Sequence, residues 1–190
     1  MTNRQIFLNH VAQTISTPLA LEIERAEGVY LYGPNGKKYI DMISGIAVSS
    51  LGHCHPAVVK AIQEQAAQFM HLMVYGEYIY SPQVRLAEAL HRLLPAHLDN
   101  FYFTNSGTEA VEGALKLAKR FTQRTEIISC HNAYHGSTAG ALSAMGSEEF
   151  KTAFRPLIPN IIILYHNYIC KLLRFRWVSL DNLLLRQFII

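Results

Sequence analysis

The heptapeptide Thr104-Asn105-Ser106-Gly107-Thr108-Glu109-Ala110 decides how the fold of this 190-residue chain is interpreted. It follows the aromatic run NFYFT at residues 100–104, which predicts a strand, and it opens a predicted helix over residues 106–121. The first amides of a helix lack acceptors within the helix, and the helix dipole is positive at that end. The turn at residues 106–108 is therefore a candidate site for an anion such as phosphate.

The same residues permit a second interpretation. Ser106 and Glu109 have the spacing of a capping box, which satisfies helix amides without any ligand. On spacing alone, the capping box is the commoner arrangement. The segment has neither the lysine of a Walker motif nor the GxGxxG pattern of dinucleotide-binding sites. Both interpretations stay open at this level.

A second polar segment, NAYHGST at residues 132–138, follows the run EIISC at 126–130, which also predicts a strand. Tyr134 could stack on a planar ring, and Gly136 permits a left-handed turn or a close approach of the backbone. The alternative is a buried tyrosine beside a turn. Taken alone, this segment favours that simpler alternative.

The rest of the chain alternates predicted strands and helices. Two β-type runs, Val29–Tyr32 and Lys38–Met42, flank Pro34-Asn35-Gly36 and predict a hairpin. His55-Pro56 and Ser81-Pro82 each begin a helical pattern with proline in its first turn. Strands that alternate with helices long enough to cross over predict an α/β fold with a parallel sheet covered by helices.

The composition narrows the class of protein. Half the residues are apolar and 16% are charged, which suits a folded domain. A net charge of +3 is too small to indicate a nucleic-acid binder or an anionic-membrane binder. No apolar run reaches the roughly 18 residues of a membrane helix. With three cysteines that form no paired spacing and no secretory signal, a cytoplasmic protein is expected.

Rival chemistries have weak motifs. The ligands in His53-Cys54-His55 are too close together to converge readily on one ion, Cys130-His131 has the same weakness, and no metal site is expected. A serine hydrolase would need a GxSxG elbow, which the sequence lacks. A nucleotide-binding α/β protein that uses the 106–108 turn for a nucleotide phosphate is a further alternative.

The end of the chain differs from the rest. All eleven glycines lie between Gly28 and Gly146, whereas residues 165–190 contain no Gly, Pro, Ala or Glu and carry the single tryptophan, Trp177. Apolar runs in this tail would be exposed unless something covers them. A terminal element packed on the body would explain the tail. A tail foreign to the fold, as a frameshift or truncation would leave, is the favoured explanation.

Three blocks of sequence together are recognisable. They are GVYLYGPNGKKYIDMISGIAVSSLGHCHPAVVKAI at 28–62, TNSGTEAVEGALKLAKR at 104–120 and CHNAYHGSTAGALSAMG at 130–146. In their order and spacing they resemble the N-terminal half of a class III aminotransferase. This is the pyridoxal-phosphate family of acetylornithine, ornithine and 4-aminobutyrate aminotransferases. The resemblance runs from about residue 15 to about residue 162.

The resemblance implies the α/β fold type I architecture, here as an N-terminal half with an incomplete sheet in the large domain. Residues 1–75 would be the N-terminal part of the small domain with a connecting segment. Residues 76–164 would begin the large pyridoxal-phosphate domain, and residues 165–190 would be the atypical tail. A homodimer with its active site at the interface is also implied.

The resemblance assigns roles to individual residues. Gly107 and Thr108 would give amides and a hydroxyl to the cofactor phosphate, with Ser106 beside them. This favours the anion site, although a helix cap can coexist with it. Tyr134 would stack on the pyridine ring. His135 and Gly136 would shape the loop beside the ring. The residues assigned to the substrate are Ser44, Gly45 and Ser137.

The chemistry implied is transamination from an amino donor to 2-oxoglutarate. The family places its Schiff-base lysine and its pyridine-binding aspartate downstream of the matched blocks. We therefore expect no catalytic residue in this chain and no activity from the 190 residues alone. The text SGIAV favours an acetylornithine-type ω-amino donor, as in arginine biosynthesis. Ser137 stands where that group often has arginine, so an ornithine, 4-aminobutyrate or other amine donor stays open, as does a non-catalytic fragment.

Overall fold

The computed structural model describes residues 1–73 and 76–165, which divide into two compact units. The first unit is Met1–Tyr78 and the second begins at Ile79. Most of the atypical tail, residues 166–190, lies outside the described part of the chain.

The first unit is built on a three-stranded antiparallel sheet in the order β1-β2-β3. The strands are Arg25–Glu27 (β1), Tyr30–Tyr32 (β2) and Lys38–Ile40 (β3). β2 and β3 form the predicted hairpin around the turn Pro34–Gly36, and β1 is an additional strand that the sequence did not predict. Cations lie over the sheet tyrosines: Lys38 Nζ is 3.5 Å from the centre of the Tyr30 ring.

Helices flank this sheet in the sequence. Helix α1 spans Asn3–His10 and begins with a capping box between Thr2 and Gln5. A four-residue helical turn, α2, covers Ser44–Ala47, and α3 covers Pro56–Gln68. Helix α3 starts at the predicted proline, whose fixed φ suits the first helical position and whose missing N–H is not needed there.

The second unit contains a two-stranded parallel sheet. Its strands are β4, Ile127–Cys130, and β5, Ile161–Leu164. Ile127 pairs with Ile161, and Cys130 pairs with Leu164. The parallel pairing agrees with the predicted α/β class. Helix α6, Ala139–Ala144, lies between them in the sequence, and its last five residues are buried.

Two longer helices precede this sheet. Helix α4 covers Ser81–Leu93 and α5 covers Gly107–Thr122. Helix α5 ends at Gln123, which has the left-handed conformation common at helix C-termini. Among the residues of this unit that the structure describes, the buried apolar side chains are Val111, Ala141, Leu142, Ala144 and Met145.

The strand predicted over residues 100–104 is wrong. These residues are irregular and pair with no strand of the described chain. An aromatic run has a high β-propensity, but a strand forms only where a neighbouring strand supplies hydrogen-bond partners. Here the run instead lines an apolar groove with residues of α4 and α5.

Within the described ranges, no helix is both long enough and apolar enough to cross a membrane.

Candidate functional site

The N-terminus of α5 has the form of an anion site. Ser106 is its N-cap, and the Ser106 Oγ accepts a hydrogen bond of 3.3 Å from the Glu109 amide. The Glu109 carboxylate accepts the amide hydrogen of Asn105 at 2.8 Å, one residue before the position that a full capping box uses. The cap therefore uses the Ser106 oxygen as an acceptor and leaves the Ser106 hydroxyl hydrogen to donate elsewhere.

Gly107 keeps the space in front of this helix end open. A β-carbon built at Gly107 would have no heavy atom within 4 Å. The amides of Gly107 and Thr108 are among the first of the helix, so no carbonyl of the helix can accept their hydrogens. Open space, donor groups and the positive end of the dipole coincide at this turn, as an anion requires.

The second predicted segment lies directly against this turn. Gly136 is buried, has a φ of +116°, and packs against Thr108. A β-carbon at Gly136 would stand 2.5 Å from both the Cβ and the Oγ1 of Thr108. A distance under about 3 Å is not tolerated between such atoms, so only glycine fits this position. The two sequence segments therefore form one site.

A carboxylate that the sequence did not single out ties these segments together. Glu112 Oε1 accepts hydrogen bonds from the Thr138 hydroxyl at 2.6 Å and from the Gly140 amide at 2.8 Å. The Ala141 amide adds a third at 3.2 Å. These donors, the Thr138 hydroxyl above all, hold the pKa of Glu112 below its ordinary value. Glu112 thus stays ionised at neutral pH and anchors the start of α6.

Two threonine hydroxyls complete this connection. Thr108 Oγ1 and Thr138 Oγ1 are 2.7 Å apart, and the Thr138 amide also donates to Thr108 Oγ1 at 3.3 Å. The turn at the start of α5 is therefore joined by hydrogen bonds to the loop that carries Gly136. Gly140 permits the contact, because a β-carbon there would stand 2.3 Å from Glu112 Oε2.

Tyr134, on the loop that packs against this turn, has an exposed ring. Its exposure is 67%, and it makes an edge-to-face contact with the Phe150 ring, with ring centres 6.0 Å apart and planes at 83°. Such an edge-to-face contact fixes the orientation of a ring while leaving most of its surface accessible. Tyr134 is thus available to stack on a planar ligand.

His135 points to the strand beneath the loop. Its Nε2 lies 3.2 Å from the hydroxyl of Ser129 on β4, and that hydroxyl donates to the Ala144 carbonyl at 2.6 Å. Because the Ser129 hydrogen is used for Ala144, the Ser129 oxygen must accept from His135, which places a proton on Nε2. The histidine anchors its loop to the sheet. Ser137, between the anchored residues, is exposed.

The two other predicted substrate residues, Ser44 and Gly45, belong to the first unit. All four residues of α2 have positive φ, from 52° at Ser44 to 62° at Ile46, so α2 is a turn of left-handed helix. L-residues resist this conformation by about 1–2 kcal/mol each.

Asp41 holds this left-handed turn in place. Its Oδ1 accepts hydrogen bonds from the amides of Ile43 at 3.0 Å and Ser44 at 2.8 Å. Its Oδ2 lies 2.7 Å from His53 Nε2. The Ser44 amide, followed by His53, keeps the pKa of Asp41 below its ordinary value. His53 is in turn bridged to Gly28 through two backbone hydrogen bonds. The pair therefore connects the turn to the loop beside the sheet.

His53 thus pairs with an aspartate within its own unit. In the described parts of the chain, no group of three or more His, Cys, Asp or Glu side chains is arranged to hold a metal ion.

Sequence reasoning missed several residues of this site. Glu112 and Thr138 were overlooked because each is unremarkable in its own helix or loop. Their common signal is spatial, since 26 residues separate them. Phe150 and Ser129 were missed for the same reason. The role of Asp41 has a weak signal in the local sequence, because aspartate commonly accepts amide hydrogens two and three residues ahead of itself.

Comparisons with known proteins agree with these features. The sequence profile of the family described as aminotransferase class-III matches residues 11–175, which extends past residue 162, where the resemblance was expected to end. The acetylornithine aminotransferase of Archaeoglobus fulgidus is 44% identical over 152 residues, which cover 80% of this chain and 39% of that protein.

Solved structures give the same answer for the fold. A taurine:2-oxoglutarate aminotransferase from Bifidobacterium kashiwanohense, solved in complex with pyridoxal phosphate and glutamate, superposes with a TM-score of 0.77 at 33% identity over 84% of this chain and 36% of that one. An adenosylmethionine-8-amino-7-oxononanoate aminotransferase from Methanocaldococcus jannaschii gives 0.80 at 31% identity over 87% of this chain and 40% of that one.

The chain spans about two fifths of the length of these relatives, and their names describe different amino donors. Three observations support the same family. They are the order of the matched blocks, the fold type I architecture and the family profile. This chain belongs to the class III aminotransferases, a pyridoxal-phosphate-dependent family, and represents an N-terminal portion of one.

Proposed function

We propose that this chain supplies the phosphate-binding and ring-stacking parts of a pyridoxal-phosphate site in a class III aminotransferase. The observation that carries the proposal is the contact of Gly136 with Thr108. This contact brings a helix N-terminus suited to a phosphate next to a loop with an accessible aromatic ring. Phosphate and a planar ring are the two ends of pyridoxal phosphate.

The residues present fit the phosphate end of the cofactor. Gly107 leaves room for an anion, and the amides of Gly107 and Thr108 and the Ser106 hydroxyl are donors. A nucleotide phosphate would also fit such a turn. The accessible ring of Tyr134 and the family membership favour the smaller aromatic cofactor.

The residues also fit the ring end. Tyr134 would stack on the pyridine ring, Phe150 would keep the tyrosine ring oriented, and His135 would hold the loop on β4 through Ser129. When bound, pyridoxal phosphate supplies an electron sink for the pair of electrons left at the carbon that bears the donor's amino group. The chain's own contribution is to bind and orient this group.

The proposed reaction is transfer of an amino group to 2-oxoglutarate from an acetylornithine-type ω-amino donor. The acetylornithine aminotransferase of Archaeoglobus fulgidus supports this choice through its 44% identity. Ser44, Gly45 and Ser137 are the proposed substrate contacts. Ser137, in place of the arginine common in that group, keeps ornithine, 4-aminobutyrate and other amines as second candidates.

We further propose that the 190 residues alone do not catalyse transamination. The resemblance puts the Schiff-base lysine downstream of the matched blocks, and the chain covers 39% of its acetylornithine relative. A purified 190-residue chain that transferred an amino group from N-acetylornithine to 2-oxoglutarate would contradict this. The homodimer and the cytoplasmic location expected from the sequence also stay predictions.

The binding proposal is tested by titrating the purified chain with pyridoxamine 5′-phosphate, which has no aldehyde to react with surface lysines. Gly107→Ala places a methyl group where phosphate would lie, in space that the protein itself leaves open. It should fold normally and bind at least about tenfold more weakly, as expected for the loss of hydrogen bonds to a charged group.

Gly113→Ala is the matched control, because it adds the same methyl group to the same helix. A β-carbon there would meet the Tyr102 ring at 3.5 Å, an ordinary contact. This variant should bind like the wild type. Equal binding by the Gly107→Ala variant and the wild type would refute the phosphate site, as would equal affinity for pyridoxamine with and without its phosphate.

A further inference from the structure

The hydrogen bonds around Glu112 have a direction that follows from chemistry. An ionised carboxylate can only accept hydrogen bonds. The Thr138 hydroxyl, 2.6 Å from Glu112 Oε1, must therefore donate its single hydrogen to Glu112. This bond is short, as expected for a hydroxyl that donates to a charged oxygen.

The direction of this bond determines the direction of the hydrogen bond between the two threonine hydroxyls. Thr138 Oγ1 and Thr108 Oγ1 are 2.7 Å apart, and one of them must be the donor. Since the hydrogen of Thr138 is already used, Thr138 is the acceptor and Thr108 is the donor. The Thr138 amide donates to Thr108 Oγ1 at 3.3 Å in the reverse direction, which is compatible because the Thr108 oxygen accepts this bond while its hydrogen is donated to Thr138.

We infer that Glu112, by accepting the hydroxyl hydrogen of Thr138, makes Thr108 donate its own hydroxyl hydrogen to Thr138 and not to a bound phosphate. Thr108 is then a positioning residue, and a phosphate at the turn is bound by main-chain amides and the Ser106 hydroxyl. This differs from the role that the family resemblance implies, in which Thr108 gives its hydroxyl to the phosphate. The inference rests on the proposed phosphate site at residues 106–108.

The close contact between Gly136 and Thr108 explains why a fixed direction of the Thr108 hydrogen bond is useful. The Thr108 side chain lies between Gly136 and the start of α6, so its hydroxyl is the point where the turn and the ring loop are joined. If that hydrogen went to the phosphate instead, the bond to Thr138 would be lost whenever the ligand bound. Because Glu112 fixes the direction of the hydrogen bonds, the bond between Thr108 and Thr138 is kept both with and without the ligand.

The test measures the affinity of the purified chain for pyridoxamine 5′-phosphate by calorimetry at neutral pH. The variants are Thr108→Val, Thr138→Val and the double variant, each of which removes a hydroxyl and keeps the side-chain shape. Thr125→Val, at an exposed threonine of the same unit, is the control and should bind as the wild type does.

We expect Thr108→Val to bind less than about tenfold more weakly than the wild type, because it loses the connection to the ring loop but no donor to the phosphate. Thr138→Val removes the acceptor of the Thr108 hydrogen, which then becomes free to reach the phosphate. This variant should bind about tenfold more tightly, and the gain should disappear in the double variant. A purely structural role for either threonine would not produce this gain and its loss.

Two outcomes overturn the inference: a loss of about tenfold or more in Thr108→Val, or no gain in Thr138→Val. Failure of the wild-type chain to bind at all would count against the proposed function and not against the direction of the hydroxyls. That direction is then read from a neutron structure of the deuterated protein. A Thr108 deuteron between the two threonine oxygens supports the inference, and a Thr138 deuteron in that place overturns it.

Discussion

Gly136 lies so close to Thr108 that a β-carbon at position 136 would stand 2.5 Å from the Thr108 hydroxyl oxygen. This one contact joins the helix N-terminus that suits a phosphate to the loop that carries Tyr134. The fold of the site is consequently sensitive to any atom added at residue 136, whereas an atom added in the open space at Gly107 should weaken ligand binding without disturbing the fold.

Gly136→Ala should destabilise the second unit by about 2–5 kcal/mol. The φ of +116° costs an L-residue about 1–2 kcal/mol, and the overlap with Thr108 adds about 1–3 kcal/mol. Urea unfolding measures the change, with Gly113→Ala as the variant that should be tolerated. A stable Gly136→Ala protein with unchanged pyridoxamine 5′-phosphate affinity would mean that the two segments are not in contact.

Tyr134→Ala should weaken the binding of pyridoxamine 5′-phosphate by about 1 kcal/mol or more, because the stacking surface is lost. Tyr134→Phe keeps the ring and should bind nearly as well as the wild type. Neither variant should change the urea midpoint much, since the side chain is 67% exposed. Calorimetry separates these cases, and equal binding by the alanine and phenylalanine variants would exclude stacking.

Glu112 should make the stability of the second unit depend on acidic pH. Its pKa in the folded chain is below its ordinary value, chiefly because Thr138 donates to it. The folded state therefore binds the proton less readily than the unfolded state does. The contribution of Glu112 is fully present above the unfolded pKa, about 4.3, and it is lost as the pH falls through the folded pKa.

Urea unfolding over this pH range, with the wild type compared to Glu112→Gln, measures that contribution. The wild type should lose more stability on acidification than the glutamine variant, whose side chain does not titrate. The other carboxylates with lowered pKa, Asp41 and Glu148, are present in both proteins and cancel in the difference. Parallel pH profiles would show that Glu112 has the same pKa in the folded and unfolded chains.

Ile46→Gly should stabilise the first unit by about 1 kcal/mol. Ile46 has a φ of +62° and is 86% exposed, so glycine removes left-handed strain and sacrifices little burial. The relief of about 1–2 kcal/mol exceeds the entropic cost of glycine, about 0.5–1 kcal/mol. Val48, with a φ of −95° and 75% exposure, is the matched position, and Val48→Gly should destabilise. Destabilisation by both variants would mean that residue 46 is not left-handed in solution.

Local sequence signals were reliable where a few neighbouring residues decide the structure. The Pro-Asn-Gly turn placed the β2–β3 hairpin, prolines at positions 56 and 82 marked the starts of two helices, and Ser106 marked the cap of α5. The family resemblance selected the two segments of the proposed site, and only the structure shows that they are in contact.

Prediction was wrong or silent where the structure depends on a distant partner. The aromatic run at 100–104 has β-propensity but no neighbouring strand among the described residues. The left-handed turn at Ser44–Ala47 contains only one glycine, and no propensity favours it. It exists because Asp41 accepts the amide hydrogens of Ser44 and of Ile43, the residue before the turn, and is itself held by His53.

The sequence by itself determined the family, the helix cap at Ser106 and the types of residue that can face a phosphate and a ring, since these follow from local pattern and side-chain chemistry. Only the tertiary structure decided that Gly136 packs against Thr108 and that Glu112 accepts a hydrogen bond from the Thr138 hydroxyl. Contacts between residues 26 or more positions apart depend on how α5, β4 and α6 pack, and no local periodicity encodes that geometry.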